Sequence, residues 1–153
     1  MKPQFQDLKL RQLDNALARW RAADLPARPP SGWIKAIRKA LGMPATQLAK
    51  RLGVVPSSAA RLEASEADDT VSLASLRRAA EALGCELRYA LVPRRDLTAT
   101  LAARADQLAK ERVRNVAHTM ALEAQATSAD TADIQVRELA ESLLKGSRRE
   151  LWR

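Results

Sequence analysis

Apolar residues recur every three or four positions along most of this chain, the period of a helix with one buried face. Phe5, Leu8, Leu13, Leu17 and Trp20 form such a stripe, with breaks, and predict a helix over residues 5–23. Lys9, Arg11, Arg19 and Arg21 decorate it. Residues 25–32 interrupt the pattern, because three prolines within five residues cannot continue a helix. Trp33, Ile34, Ile37 and Leu41 then predict a second helix, with Ser31 as its cap, Gly42 at its end, and Lys35, Arg38 and Lys39 outward. Residues 64–71 are polar and acidic and read as a loop. Ser72 opens a helix with Leu73, Leu76, Ala79, Ala80 and Leu83 inward and Gly84 at its end. Residues 85–93 alternate, with Leu87, Tyr89 and Leu91 on one side, and predict a short strand that needs a partner, which a second copy could supply. Residues 96–126 lack Gly and Pro and predict one long helix. Its candidate inner positions are Leu97, Leu101, Leu108, Val113, Val116, Met120 and Leu122. After a break at 126–130, Ile134, Val136, Leu139, Leu143 and Leu144 mark a last helix. Gly146 ends it and a basic tail with Trp152 follows.

The stretch left out of that account, residues 44–63, is the most specific. Leu48, Ala49 and Leu52 sit at helical spacing, and Gly53 supplies the left-handed residue on which helices end. Val54 is expected to be a buried turn residue. Pro56 pre-sets the first turn of another helix, where its missing N–H costs nothing. Ala59 and Leu62 are placed inward, and Ser57, Ser58, Ala60 and Arg61 outward. Two short helices joined by one tight turn make a helix-turn-helix, whose second helix enters the DNA major groove.

Composition strengthens this reading. The 153 residues hold 26 Lys and Arg against 18 Asp and Glu, a net charge of +8, which favours an anionic partner and nucleic acid first. Residues 1–93 hold 15 basic and 9 acidic side chains, and residues 94–153 hold 11 and 9, so the excess lies mainly in the half with the motif. Aromatics are 3%, too few for a sheet protein. The expected fold is mainly all-α: a lambda-repressor-like helix-turn-helix domain with one short β-strand and a C-terminal helical extension. The expected division is an N-terminal helix at 1–24, a Pro-rich linker at 25–32, the DNA-binding domain at 33–93 and an interaction region at 94–153. The first helix could pack on the domain or act as a dimer arm. The single cysteine, Cys85, is expected to be a small core residue in a reduced compartment. No apolar run approaches membrane length, and the N-terminus lacks a signal-peptide core, so the expected location is the cytoplasm, with no membrane partner.

Residues 33–84 resemble the helix-turn-helix domain of the Cro and phage-repressor (XRE) family. The residues that carry the likeness are Leu48-Ala49, Leu52-Gly53-Val54, Ser57-Ser58, Arg61-Leu62-Glu63, Ser72-Leu73, Leu76 and Ala82-Leu83-Gly84. The resemblance implies that Pro56, Ser57, Ala60 and Arg61 face the groove. Arg61 has the best chemistry for it, since a guanidinium bonds guanine O6 and N7 together. Ser58 and the amides near the helix start suit a phosphate, and Lys50, Arg51, Lys35, Arg38 and Lys39 are candidate phosphate neighbours. Glu63 is expected to support the fold. Two positions depart from the family: Ala45 replaces a frequent Gln, and Pro56 stands where relatives often place a polar reader.

Over nearly its full length, from residues 5–14 through Ala27-Arg28-Pro29-Pro30-Ser31-Gly32-Trp33-Ile34 to residues 118–123, the chain is similar to the mobile mystery protein A family, whose members are encoded beside a Fic-domain protein. Antitoxins of Fic enzymes carry an inhibitory helix with Ser/Thr-x-x-x-Glu-Gly/Asn, whose Glu pairs with an active-site Arg. Only Thr119 has a Glu four residues on, Glu123, and Ala124 replaces the final Gly or Asn. An i,i+4 pair shares one helix face. In any helical protein the same spacing also arises as an ordinary surface pair, and Met120 and Leu122 fit a partner interface or a core equally well.

No Gly-rich phosphate loop, metal-ligand cluster or Cys/His pair is present, and one His stands alone, so neither an enzyme nor a cofactor is expected. The resemblance to that family implies a DNA-binding antitoxin that represses its own operon and inhibits a Fic-domain AMP-transferase toxin through Thr119 and Glu123. The alternative is a plain repressor whose C-terminal helices only dimerise. Both imply double-stranded operator DNA as a partner and a homodimer or a hetero-oligomer with the toxin.

Overall fold

The computed structural model describes residues 3–122 and 129–153. The chain forms two compact units. One is the continuous stretch Leu25–Ala90; the other combines the segment ending at Asp24 with Leu91–Arg153.

The continuous unit contains α2 (Trp33–Ala40), α3 (Ala45–Leu52), α4 (Pro56–Ala67) and α5 (Leu73–Ala82). Ile34, Leu48, Ala79 and Leu83 are its buried centre, flanked by Ile37, Met43, Leu52, Leu62 and Leu76. One apolar stripe from each helix thus meets in a single core, as the 3.6-residue period requires. Ser72 caps α5, its hydroxyl oxygen accepting from the Ser75 amide at 3.1 Å. Two carboxylates of α4 are buried and both are used. Glu63 accepts two hydrogen bonds from Arg38 of α2, Nε to Oε1 at 2.5 Å and a terminal nitrogen to Oε2 at 3.1 Å. The other terminal nitrogen of Arg38 donates to the Met43 carbonyl at 2.9 Å. Glu66 accepts from the Trp33 and Ile34 amides at 2.8 and 2.9 Å, which fills two of the donors every helix leaves open at its start.

Several expectations for this unit are corrected. Ser31 makes no cap for α2. Gly32 holds the cap position with φ 83°, and Glu66 supplies the acceptor from 30-odd residues away in sequence. The acidic loop starts later, since α4 continues to Ala67 and its C-cap is Asp68. Within residues 25–32, Arg28 donates to the Glu66 carbonyl and pairs with Asp69 at 3.1 Å. Val54, Trp33, Leu41 and Leu73 are exposed, and so is Cys85. Residues 85–93 form no strand, and none exists among the described residues. An alternating segment still needs a neighbouring strand to bond its amides, and this chain offers none there. Tyr89 and Leu91 accordingly stand 60% and 89% exposed.

The second unit contains α1 (Pro3–Ala22), α6 (Leu97–Leu122), α7 (Ala129–Lys145) and a 3-10 turn at Arg148–Trp152. Its centre is Ala105, Leu108, Ala109, Leu143 and Leu151, with Leu101, Val136, Leu139 and Ala140 against it. Two alanines on α6 let α7 approach closely. Leu151, in the segment read as a basic tail, is fully buried, and its carbonyl accepts from Arg104 at 2.6 Å. Val116, a candidate inner position, is exposed, and so is Ile134 of α7.

The first helix belongs to this unit. It packs on α6 through Asp14, whose carboxylate accepts from the Leu97 amide at 2.6 Å, the Thr98 amide at 3.0 Å and the Thr98 hydroxyl at 2.6 Å. Asp14 is thus the N-terminal cap of a helix 83 residues away. Arg21 extends the joint, donating to Asp96 at 2.9 Å and to the Pro93 carbonyl at 3.2 Å. At the other end of α1, Arg148 pairs with Asp7. Leu10, Leu17 and Trp20 are half-buried, whereas Phe5, Leu8 and Leu13 of the expected stripe are exposed. Among the described residues no helix is long and apolar enough to cross a membrane.

Candidate nucleic-acid interface

The turn between α3 and α4 follows from three residues. Gly53 takes φ 68° and ψ 31°, which lets its own amide reach the Lys50 carbonyl at 3.2 Å and the Val54 amide reach the Ala49 carbonyl at 3.0 Å. Val55 is extended and caps α4, and Pro56 occupies the first turn. The chain direction therefore changes within a few residues, and α4 begins at once.

α4 divides cleanly into two faces. Ala59 and Glu63 are buried, with Leu62 half-buried beside the core. Pro56, Ser57, Ala60 and Arg61 are exposed, and Ser58 is half-buried at the boundary. The four residues assigned to the groove thus share the solvent side of one helix. That side offers two hydrogen-bonding side chains, Ser57 and Arg61, flanked by the small or flat Ala60 and Pro56, so a base edge meets little steric obstacle.

The candidate phosphate neighbours separate into different situations. Lys50 and Lys39 are exposed, and Lys35 is half-buried. Arg51 is exposed, and one of its terminal nitrogens donates to the Ala82 carbonyl at 3.1 Å, closing the end of α5. Arg38 is removed from the set. Its side chain and that of Glu63 are only 11% and 8% exposed, and its fork is occupied. The bond from Glu63, reinforced by the attraction of opposite charges, raises the Arg38 pKa against the opposing effect of burial, so the guanidinium keeps its charge inside the domain. Sequence gave no hint of this role, because a buried arginine and a solvated one look alike in a helical pattern.

One arginine outside the candidate set stands at the same surface. Arg78 of α5 and Arg61 of α4 line a cleft of about 390 Å³, together with Ser58, Ser65 and Ser75. Arg78 carries no sequence signal of its own, being one of several polar residues on the outer side of α5.

For the expected inhibitory pair, Thr119 is exposed on α6 and its hydroxyl donates to the Asn115 carbonyl at 3.1 Å. Glu123 lies outside the described residues.

A family model described as helix-turn-helix matches residues 34–89, a range that runs from the second residue of α2 through α5 into the segment after it. No curated protein and no solved structure matches the chain. The turn at Gly53, the two-faced α4 and this match agree, and residues 34–89 are an XRE-type helix-turn-helix domain.

Proposed function

We propose that this protein is a DNA-binding antitoxin, not an enzyme. Residues 33–93 bind the operator of its own operon and repress it, and residues 94–153 bind and inhibit a Fic-domain AMP-transferase. One observation carries the DNA half: the helix-turn-helix match falls on a domain whose second motif helix leaves Pro56, Ser57, Ala60 and Arg61 open to solvent. The net charge of +8 supports it. The toxin half rests on the resemblance to the mobile mystery protein A family and on the exposed Thr119 of α6.

A mobility-shift titration with the DNA upstream of the protein's own gene tests the first half. Preferential retention of that fragment over random duplex of equal length is expected, and equal affinity for both overturns it. Co-expression with the product of the adjacent reading frame tests the second. The two proteins should co-purify, and Glu123→Gly should release ATP-dependent modification of a target while the complex persists.

A plain dimeric repressor is the second reading. It is favoured by the apolar side chains that the other unit leaves exposed, among them Phe5, Leu8, Val116 and Ile134. Under it, the Glu123→Gly variant changes nothing and the chain is a dimer without any second protein.

A further inference from the structure

We infer that the cleft between α4 and α5 is the seat of a DNA backbone phosphate, with Arg78 as its cation. The inference rests on the DNA-binding reading and adds a contact that the motif itself does not contain.

Three observations converge on an anion. First, the cleft is lined by Arg61 and Arg78 and by no acidic residue. The carboxylates of α4 point elsewhere, Glu63 to Arg38 and Glu66 to the start of α2. Second, neither arginine has a hydrogen bond or ion pair among the described residues, so both forks are available. Third, the hydroxyls differ in what they have left to give. Ser65 spends its proton on the Leu62 carbonyl at 2.8 Å. Ser75 accepts from the Ser72 hydroxyl at 2.9 Å, which leaves its own proton for an outside acceptor. Ser58 is half-buried on the same wall. Arg78, Ser75 and Ser58 therefore present donors from two helices toward one concavity.

The position of Arg61 identifies which anion. It belongs at once to the cleft and to the solvent face of α4 that carries Ser57 and Ala60. A duplex lying along that face brings its own phosphates to the cleft mouth, so the ligand is the sugar-phosphate backbone beside the groove α4 reads. The two arginines then divide the work. Arg61 reaches a base, and Arg78 holds the neighbouring phosphate and so fixes the depth and angle of α4, with no sequence preference of its own.

The test is the salt dependence of binding to a random-sequence 30-base-pair duplex, followed by fluorescence anisotropy between 50 and 200 mM salt. Arg78→Gln should weaken binding and flatten the slope of log K against log salt by about 0.9, the loss of one phosphate contact. Arg78→Lys should keep most of the slope. Thermal melting of both variants checks that the domain is intact. An unchanged slope in a folded Arg78→Gln variant overturns the inference and leaves the DNA reading standing. Failure of the wild-type protein to bind duplex even at low salt overturns both. Inorganic phosphate titrated into the protein alone should bind only weakly. Tight phosphate binding with an unaltered DNA slope would make this a free-anion site and overturn the assignment.

Discussion

Gly32 and Glu66 share one niche: a Cβ added to Gly32 would lie 2.7 Å from Glu66 Oε2. The glycine is held at φ 83°, a conformation other residues resist, and its lack of a side chain is what admits the carboxylate to the start of α2.

Gly32→Ala should therefore destabilise the helix-turn-helix domain by about 2–4 kcal/mol, from backbone strain plus two uncapped amides. Urea unfolding of the domain checks this. A loss no larger than a surface Gly→Ala change would show that Glu66 can move aside freely.

Arg38→Ala leaves Glu63 charged, buried and without its partner. The expected cost is about 3–5 kcal/mol of domain stability, in contrast to the near-zero cost of truncating an exposed arginine such as Arg88. The double variant Arg38→Met, Glu63→Leu should recover most of the loss, because a packed apolar pair has no desolvation penalty. Denaturant midpoints of the single and double variants decide it.

Asp14 gives the other unit a pH dependence. The Thr98 hydroxyl bond, helped by the Leu97 and Thr98 amides and the charge of Arg21, holds its carboxyl below the usual carboxylate value against some desolvation. A folded-state pKa below the unfolded one means stabilisation that is complete above about pH 4 and lost as pH falls through the folded value. Wild type should thus melt higher than Asp14→Asn at pH 6, and the gap should close on acidification. A gap that stays constant down to pH 2 would show that the carboxylate charge contributes nothing.

Arg61→Ala should cost about 1–3 kcal/mol on a duplex selected from a random pool and much less on unselected DNA. Equal losses on both would make Arg61 a phosphate contact instead of a base reader.

The helix-turn-helix was legible because its signals are local. Gly53, Pro56 and Ser72 each act on their own turn, and Leu48, Ala59 and Leu83 follow the helical period. What escaped sequence depends on pairing across distance or on weak hydrophobic signals. Asp14 and Leu97 carry no mark that they belong together, nor do Gly32 and Glu66. Ala105 and Ala109 are fully buried, yet alanine adds little to an apolar stripe. Leu151 hid among arginines. The alternating segment 85–93 misled for the opposite reason, since its pattern is clear and its partner is absent within the described chain. On the DNA face, Arg61 could be named from its place in the motif, while Arg78 needed the cleft to be seen.

The capping of α6 by Asp14 also orders events during synthesis. α1 is made first, but its partner follows 83 residues later, after the whole stretch Leu25–Ala90 has been added. The helix-turn-helix unit is continuous and rich in near-neighbour contacts, so it can fold as it emerges. α1 must wait for α6 with Leu10, Leu17 and Trp20 uncovered. The continuous unit is therefore expected to complete its fold before α1 finds its partner on α6.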